Sequence, residues 1–106
     1  MARALIFAPK TAARGDVIEI RTLIAHPMES GQRSDGQGGL VARDILRKLE
    51  CRYDGVLVFS AELFAAIAAN PLVSFNTVAT ASGTISITWS GDNGFAQTES
   101  VMLTVS

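Results

Sequence analysis

The sequence has no lysine or arginine after Arg52, one cysteine (Cys51), one histidine (His26) and only three prolines in 106 residues. A single cysteine cannot close an internal disulfide. One cysteine with one histidine cannot complete a four-ligand nitrogen and sulphur zinc site without carboxylates or another chain. Disulfide scaffolds and zinc fingers are therefore excluded. The longest apolar run, Leu63 to Ala69, falls far short of the ~20 residues a membrane helix needs. Met1-Ala2-Arg3 leads straight into strand-like sequence with no apolar h-region or cleavage site, which on its own points to a cytoplasmic protein without a membrane partner. A basic excess is also missing: nine Lys and Arg stand against ten Asp and Glu, a net charge of −1, whereas gripping a phosphate backbone needs a surplus of cations. Nucleic acid is not an expected partner, and the length fits one domain, 1–106.

The near-zero net charge conceals two unlike halves. All nine cations lie in the first 52 residues beside six acids, a net +3. Residues 53–106 hold four acids, Asp54, Glu62, Asp92 and Glu99, and no cation, a net −4.

Val, Ile and Thr number eight each, and β-branched side chains favour a pleated surface over a helix. Arg3 to Ala8 reads as a short strand closed by Pro9, and Lys10 to Asp16 as a loop. In Val17 to Ile24, Ile18, Ile20 and Ile24 share one face, with Glu19 and Arg21 on the other. Leu49, Cys51 and Tyr53 alternate with Lys48, Glu50 and Arg52. Asp54-Gly55 then leads into Val56 to Phe59, the signature of a type I′ hairpin. Ser60 to Asn70 carries a local signal for one or two helical turns, with Ser60 as cap and Asn70-Pro71 as stop, and is kept as a short turn-rich connection. Val73 and Phe75, then Ile85, Ile87 and Trp89, then Val101, Leu103 and Val105 mark three further strands, separated by turns at Ser82-Gly83 and Gly91 to Gly94. Seven short strands with turns between them predict an all-β, immunoglobulin-like antiparallel β-sandwich lacking the usual inter-sheet disulfide.

Between the strands, Ser30 to Gly39 holds four glycines and no apolar residue; a loop so long is functional or mobile. It lacks the spacings of phosphate-binding glycine loops, so flexibility is the better reading. His26 opens this loop, with no serine or second acid at triad spacing, and a contact or loop-packing role is favoured over that of a general base. Gln32 and Arg33 could meet an anion or a partner's carboxylate. Cys51 falls on the apolar face of its strand, where a free thiol is usually an inert small hydrophobe; the alternative is a sulphur-transfer or redox protein that uses Cys51 directly. No catalytic residue, cofactor or metal site is expected. Strands 72–80, 84–90 and 95–105 hold no Lys or Arg and only Glu99 as a charge. Edge strands normally carry such blocking charges, so another chain is expected to cover one of these.

Ala8-Pro9-Lys10-Thr11, the run Gly15 to Ile24, His26-Pro27-Met28-Glu29-Ser30-Gly31-Gln32-Arg33, Phe59 to Leu63 and Ala69-Asn70-Pro71 together resemble the SoxZ family, in order and over essentially the whole chain. The segment His26 to Arg33 is the most specific part of the match. The resemblance implies an immunoglobulin-like fold and a non-enzymatic role in sulphur and thiosulphate oxidation. It implies a SoxY-like partner that holds sulphur intermediates on a C-terminal cysteine arm, and transient contacts with the other Sox enzymes. It also implies a periplasmic location reached by co-export with that partner, in place of the cytoplasm. The ending Leu103-Thr104-Val105-Ser106 carries no such arm, which fits the Z and not the Y role. The family offers no catalytic residue to carry over. His26, Pro27, Met28, Gln32 and Arg33 are expected, from the loop itself, to form a partner-binding surface.

Overall fold

The computed structural model describes residues 2–106. Its strands are β1 (Ala4–Phe7), β2 (Thr11–Ala12), β3 (Val17–Ile24), β4 (Leu46–Tyr53), β5 (Val56–Glu62), β6 (Leu72–Val78), β7 (Gly83–Gly91) and β8 (Ala96–Val105). They form a three-stranded sheet, ordered β1-β3-β6, and a five-stranded sheet, ordered β2-β8-β7-β4-β5. All pairings are antiparallel except the two-residue β2–β8 pair. This is the expected immunoglobulin-like sandwich with one more strand. Thr11 and Ala12 lie within the stretch read as loop, and two residues pairing in parallel with the end of β8 leave no periodic signal.

Alternation decides which side chains face inward. Ile18, Ile20, Thr22 and Ile24 of β3 oppose Leu49, Cys51 and Tyr53 of β4 and Ile85, Ile87 and Trp89 of β7, all buried. Thr22, the polar member of the row, is satisfied by donating from Oγ1 to the Val73 carbonyl at 3.0 Å. Gln97 is buried too, and its amide both accepts from the Ala2 N–H (2.9 Å) and donates to the Ala2 carbonyl (2.7 Å), which ties the segment leading into β1 across to β8. The Tyr53 hydroxyl donates to the Ala81 carbonyl and accepts from the Thr80 and Ala81 N–H groups, pinning the connection from β6 to β7.

Two local readings change. Ser60 to Glu62 continue β5 in register with β4, Ser60 against Glu50 and Glu62 against Lys48. Only one turn follows, with the Ile67 N–H donating to the Phe64 carbonyl (3.0 Å), so the helical signal of Ser60 to Asn70 yields to sheet pairing. The glycine-rich segment is a laddered arm instead of an unstructured loop. Bridges join Glu29 to Asp44 and Ser34 to Leu40. The Val41 N–H donates to the Arg33 carbonyl (2.8 Å), and Asp35 Oδ1 closes the tip by accepting from the N–H groups of Gln37 and Gly39. The molecule is correspondingly long, 59 × 20 × 19 Å, with a radius of gyration of 16.1 Å against about 13 Å for a compact chain of this length.

Candidate functional site: a charged end and an uncovered flank

The arm is anchored by the two residues at its root. His26 is 4% exposed and Met28 6%. The His26 backbone exchanges hydrogen bonds with Asn70: its N–H donates to Asn70 Oδ1 (3.0 Å), and its carbonyl accepts from the Asn70 N–H (2.8 Å). Its Nδ1 accepts from the Met28 N–H at 3.1 Å, so the proton of a neutral ring sits on Nε2, which faces Asp44 Oδ1 at 3.8 Å. The ring meets Phe95 edge to face, centroids 5.4 Å apart. Met28 adopts a left-handed backbone (φ 51°), and its sulphur accepts from the Leu46 N–H (3.2 Å). Of the other residues expected at a partner surface, Pro27, Gln32 and Arg33 are exposed. Arg33 pairs with Glu29 through Nη2–Oε1 at 2.6 Å, and the guanidinium holds the Glu29 carboxyl below the usual carboxylate range. The structure thus divides the five: two side chains hold the arm in place, and three stand on its surface.

Sequence reasoning missed the far end of the same region. Asp92, in the 3-10 turn Asp92–Gly94, receives a bidentate fork from Arg43 (Nε–Oδ2 and Nη2–Oδ1, both 2.9 Å) and the Ile45 N–H (3.2 Å). Desolvation raises the Asp92 pKa, but the Ile45 N–H, Arg43 and the nearby charge of Arg47 outweigh it and leave the group below its ordinary value. Beside this latch the register of β4 against β7 slips between Leu46 and Lys48. The bulge makes Arg47 and Lys48 consecutive exposed residues where strict alternation would bury one. Gly91 permits it: a Cβ there would stand 2.4 Å from the Ile45 carbonyl oxygen and 2.9 Å from Leu46 Cα. Arg43 and Asp92 are 49 positions apart, and no spacing rule joins them.

The opposite character marks the flank where the outer edges of the two sheets meet. β5 pairs only with β4, and β6 only with β3, so each leaves one edge free. Phe59 of β5 stacks on Phe75 of β6, centroids 4.2 Å apart and planes at 2°, bringing those edges side by side. Val56, Leu57 and Val58 are 64, 44 and 39% exposed, and Val78 across the gap is 46% exposed. The apolar surface continues around β6, where Leu72 lies opposite Leu23, and Leu23 opposite Leu5.

Cys51 lies on neither surface. It is fully buried in the core, and burial pushes its thiol up to about 11, so the reactive thiolate is disfavoured. Among the described residues no three His, Cys, Asp or Glu side chains gather into a group that could hold a metal ion.

Solved structures that superimpose on this one include a superoxide reductase and a sulfur carrier protein. Superoxide reductase (neelaredoxin) from Ignicoccus hospitalis matches with a TM-score of 0.77 at 15% identity, covering 99% of this chain and 82% of that one. The sulfur carrier protein SoxY from Chlorobium limicola f thiosulfatophilum matches with a TM-score of 0.67 at 13% identity, covering 97% of this chain and 78% of that one. At such identities the likeness is one of fold. No curated protein matches the sequence. The family model described as sulphur oxidation protein SoxZ matches residues 6–102, nearly the whole chain. The chain therefore belongs to the SoxZ family of sulphur oxidation proteins.

Proposed function

We propose that this chain is the non-catalytic Z-type subunit of a SoxYZ-like carrier complex. As one domain, 1–106, it pairs in a periplasmic heterodimer with a SoxY-like subunit that holds thiosulphate-derived intermediates on a C-terminal cysteine arm. It also offers a surface on which the other Sox enzymes dock transiently.

The observation that carries the reading is the uncovered flank. Natural sheets guard free edges with lysines, prolines or bulges that turn the edge away, because unpaired N–H and C=O groups beside apolar side chains invite pairing. Here Val56 to Ala61 carry no charge, and β6 beside them none either, so that the guard on this flank is the bulge that leaves Val58 between the Cys51–Phe59 and Arg52–Leu57 pairs. A partner that lays a strand or an apolar face along β5 and β6 satisfies the backbone and covers Val56, Leu57, Val58 and Val78 together.

The arm supplies a second contact surface. Pro27, Gln32 and Arg33 meet the partner or a docking enzyme, and His26 and Met28 act by holding the arm's root. Replacing Arg33 by Glu sets two carboxylates against each other and weakens turnover of a reconstituted Sox system, whereas Arg33→Gln lowers it less. Unchanged kinetics in both variants would remove the arm from the account.

Co-expression with a candidate partner and native mass spectrometry tests the pairing. A one-to-one complex with a chain ending in a glycine-flanked cysteine is the expected result. A chain that sediments as a monomer at micromolar concentration with that partner present would sink it.

A further inference from the structure

Three titratable side chains are buried among the described residues, Cys51, His26 and Tyr53. Of these residue types only histidine ordinarily changes charge between about pH 5 and 8. His26 also stands at a joint. Its backbone is fixed by the two-way exchange with Asn70, and the ring of Pro27 restricts both its own φ and the residue before it. Rotation between sandwich and arm is therefore left to Met28, which is held left-handed at φ 51°, a strained setting for a side chain other than glycine. Two contacts keep it there: its N–H donates to His26 Nδ1 (3.1 Å), and its sulphur accepts from the Leu46 N–H (3.2 Å). A proton on Nδ1 sets two N–H donors against each other and removes the first contact.

The charges on the elements around the ring leave it one available partner. The return limb of the arm brings Asp44, whose Oδ1 lies 3.8 Å from Nε2, beyond hydrogen-bond reach, and which pairs with no other cation among the described residues. The outgoing limb brings Glu29, held by Arg33, and the turn before Phe95 brings Asp92, held by Arg43. Arg3, Arg47 and Lys48 are exposed, β8 beyond Phe95 carries only Glu99, and residues 65–71 around Asn70 carry no charge.

We propose that the root of the arm is a proton-operated hinge, in which protonated His26 gives up the Met28 N–H, turns toward the Asp44 carboxylate and lets Met28 leave the left-handed region. The outgoing limb, Pro27 to Arg33, is closed on the sandwich while the ring is neutral and loosens when it is charged. The coupling follows from the geometry, because Nδ1 cannot gain a proton and still accept from the same N–H. The hinge belongs to the free chain and does not depend on the partner reading above.

The test is NMR of the full chain between about pH 7.5 and 5.5, where Glu29 and Asp92 stay charged because their carboxyls are held below the ordinary range. The neutral ring is expected to carry its proton on Nε2. As it charges, the Met28, Glu29 and Val41 amides are expected to lose at least fivefold in exchange protection after correction for intrinsic rates, about 1 kcal/mol, while those of β3 keep theirs. His26→Asn, whose side-chain oxygen accepts from the Met28 N–H but takes no proton, holds that protection level across the interval. Asp44→Asn removes the charge that favours the imidazolium and moves the midpoint of release to lower pH, by about half a unit or more. A ring that stays neutral to pH 5.5, a neutral ring protonated on Nδ1, arm protection that does not follow the ring, or the same pH dependence in His26→Asn each overturns the proposal. Where His26→Asn does not fold, Asp44→Asn decides: an unmoved midpoint overturns the hinge, and a lowered one supports it.

Discussion

The charged end and the uncovered flank are built from the same sandwich but satisfy their groups in opposite ways. At the charged end the chain closes on itself: the arm's two limbs are bridged, Glu29 holds Arg33, Asp92 holds Arg43 and the Ile45 N–H, and His26 is locked between Asn70, Met28 and Phe95. On the flank the chain stops short. The side chains of Val56, Leu57, Val58 and Val78 find no cover, and the free edges of β5 and β6 find no strand. A surface that satisfies itself presents a fixed shape, and a surface left unsatisfied needs a second molecule. The +3 and −4 halves of the sequence do not map onto this division, since Glu62 and Asp92 of the acidic half stand at the charged end, opposite Lys48 and on Arg43, while Arg52 lies opposite Leu57 of the flank.

The largest effect is expected from breaking the charged end at its tightest point. In Gly91→Ala the new methyl meets the Ile45 carbonyl at a separation no Cβ tolerates, so the bulge must shift or β7 must part from β4. A loss of about 3 kcal/mol is expected, visible as a thermal midpoint lower by roughly 12 °C or more. A midpoint within 2 °C of the parent, on the order of the measurement scatter for a sub-kcal/mol change, would show that the close approach is not a constraint. The flank is tested in the reverse sense. Val58→Lys supplies the gatekeeping charge this edge lacks, at an exposed site where stability should move by no more than about 0.5 kcal/mol. Assembly with the partner should fall more than tenfold, about 1.4 kcal/mol, in native mass spectrometry or sedimentation. Loss of folding without loss of assembly would reverse the contrast.

How much of this could be read in the sequence depended on whether a feature is periodic. β3, β7, the end of β8 and β4 from Leu49 onward alternate because one face is buried, and their inward residues are those expected. The Asp54-Gly55 hairpin was equally legible: both residues have the positive φ, 52° and 84°, that a type I′ turn demands. The family match rested on a contiguous segment, His26 to Arg33, and so could also be seen. The charged end could not, because it joins residues distant in sequence and depends on a bulge, which breaks the alternation used to find strands. His26 and Met28 looked like loop residues because their burial comes from Asn70, Phe95 and Leu46, all far along the chain. The helical signal of Ser60 to Asn70 was local and lost to pairing with β4, which no local signal registers.

A smaller effect separates the two regions by pH. Glu29 and Asp92 both have carboxyls held below their ordinary values of 4.5 and 3.8 in the folded chain, Glu29 mainly by the Arg33 hydrogen bond and Asp92 by the Ile45 N–H and Arg43 against its own desolvation. A depressed folded pKa means that the unfolded chain takes up protons first as pH falls. The stability these groups contribute is therefore complete above their unfolded values and drains away below them. The flank contributes nothing to this window, since Val56 to Ala61 and Leu72 to Val78 hold no titratable side chain. Amide hydrogen exchange from pH 6 down to about 3 should show the arm and the Ile45 and Asp92 amides losing protection first, after correction for intrinsic rates, while β5 and β6 keep theirs. At the alkaline limit the sign reverses for Cys51: its raised thiol pKa stabilises the folded chain below about 9 and ceases to do so as the pH rises to about 11. Native alkylation at neutral pH should accordingly be slow and should become rapid only in denaturant. Fast labelling of the folded chain would place the thiol at an accessible surface, and the division between a closed end and an open flank would then have to admit a third reactive region.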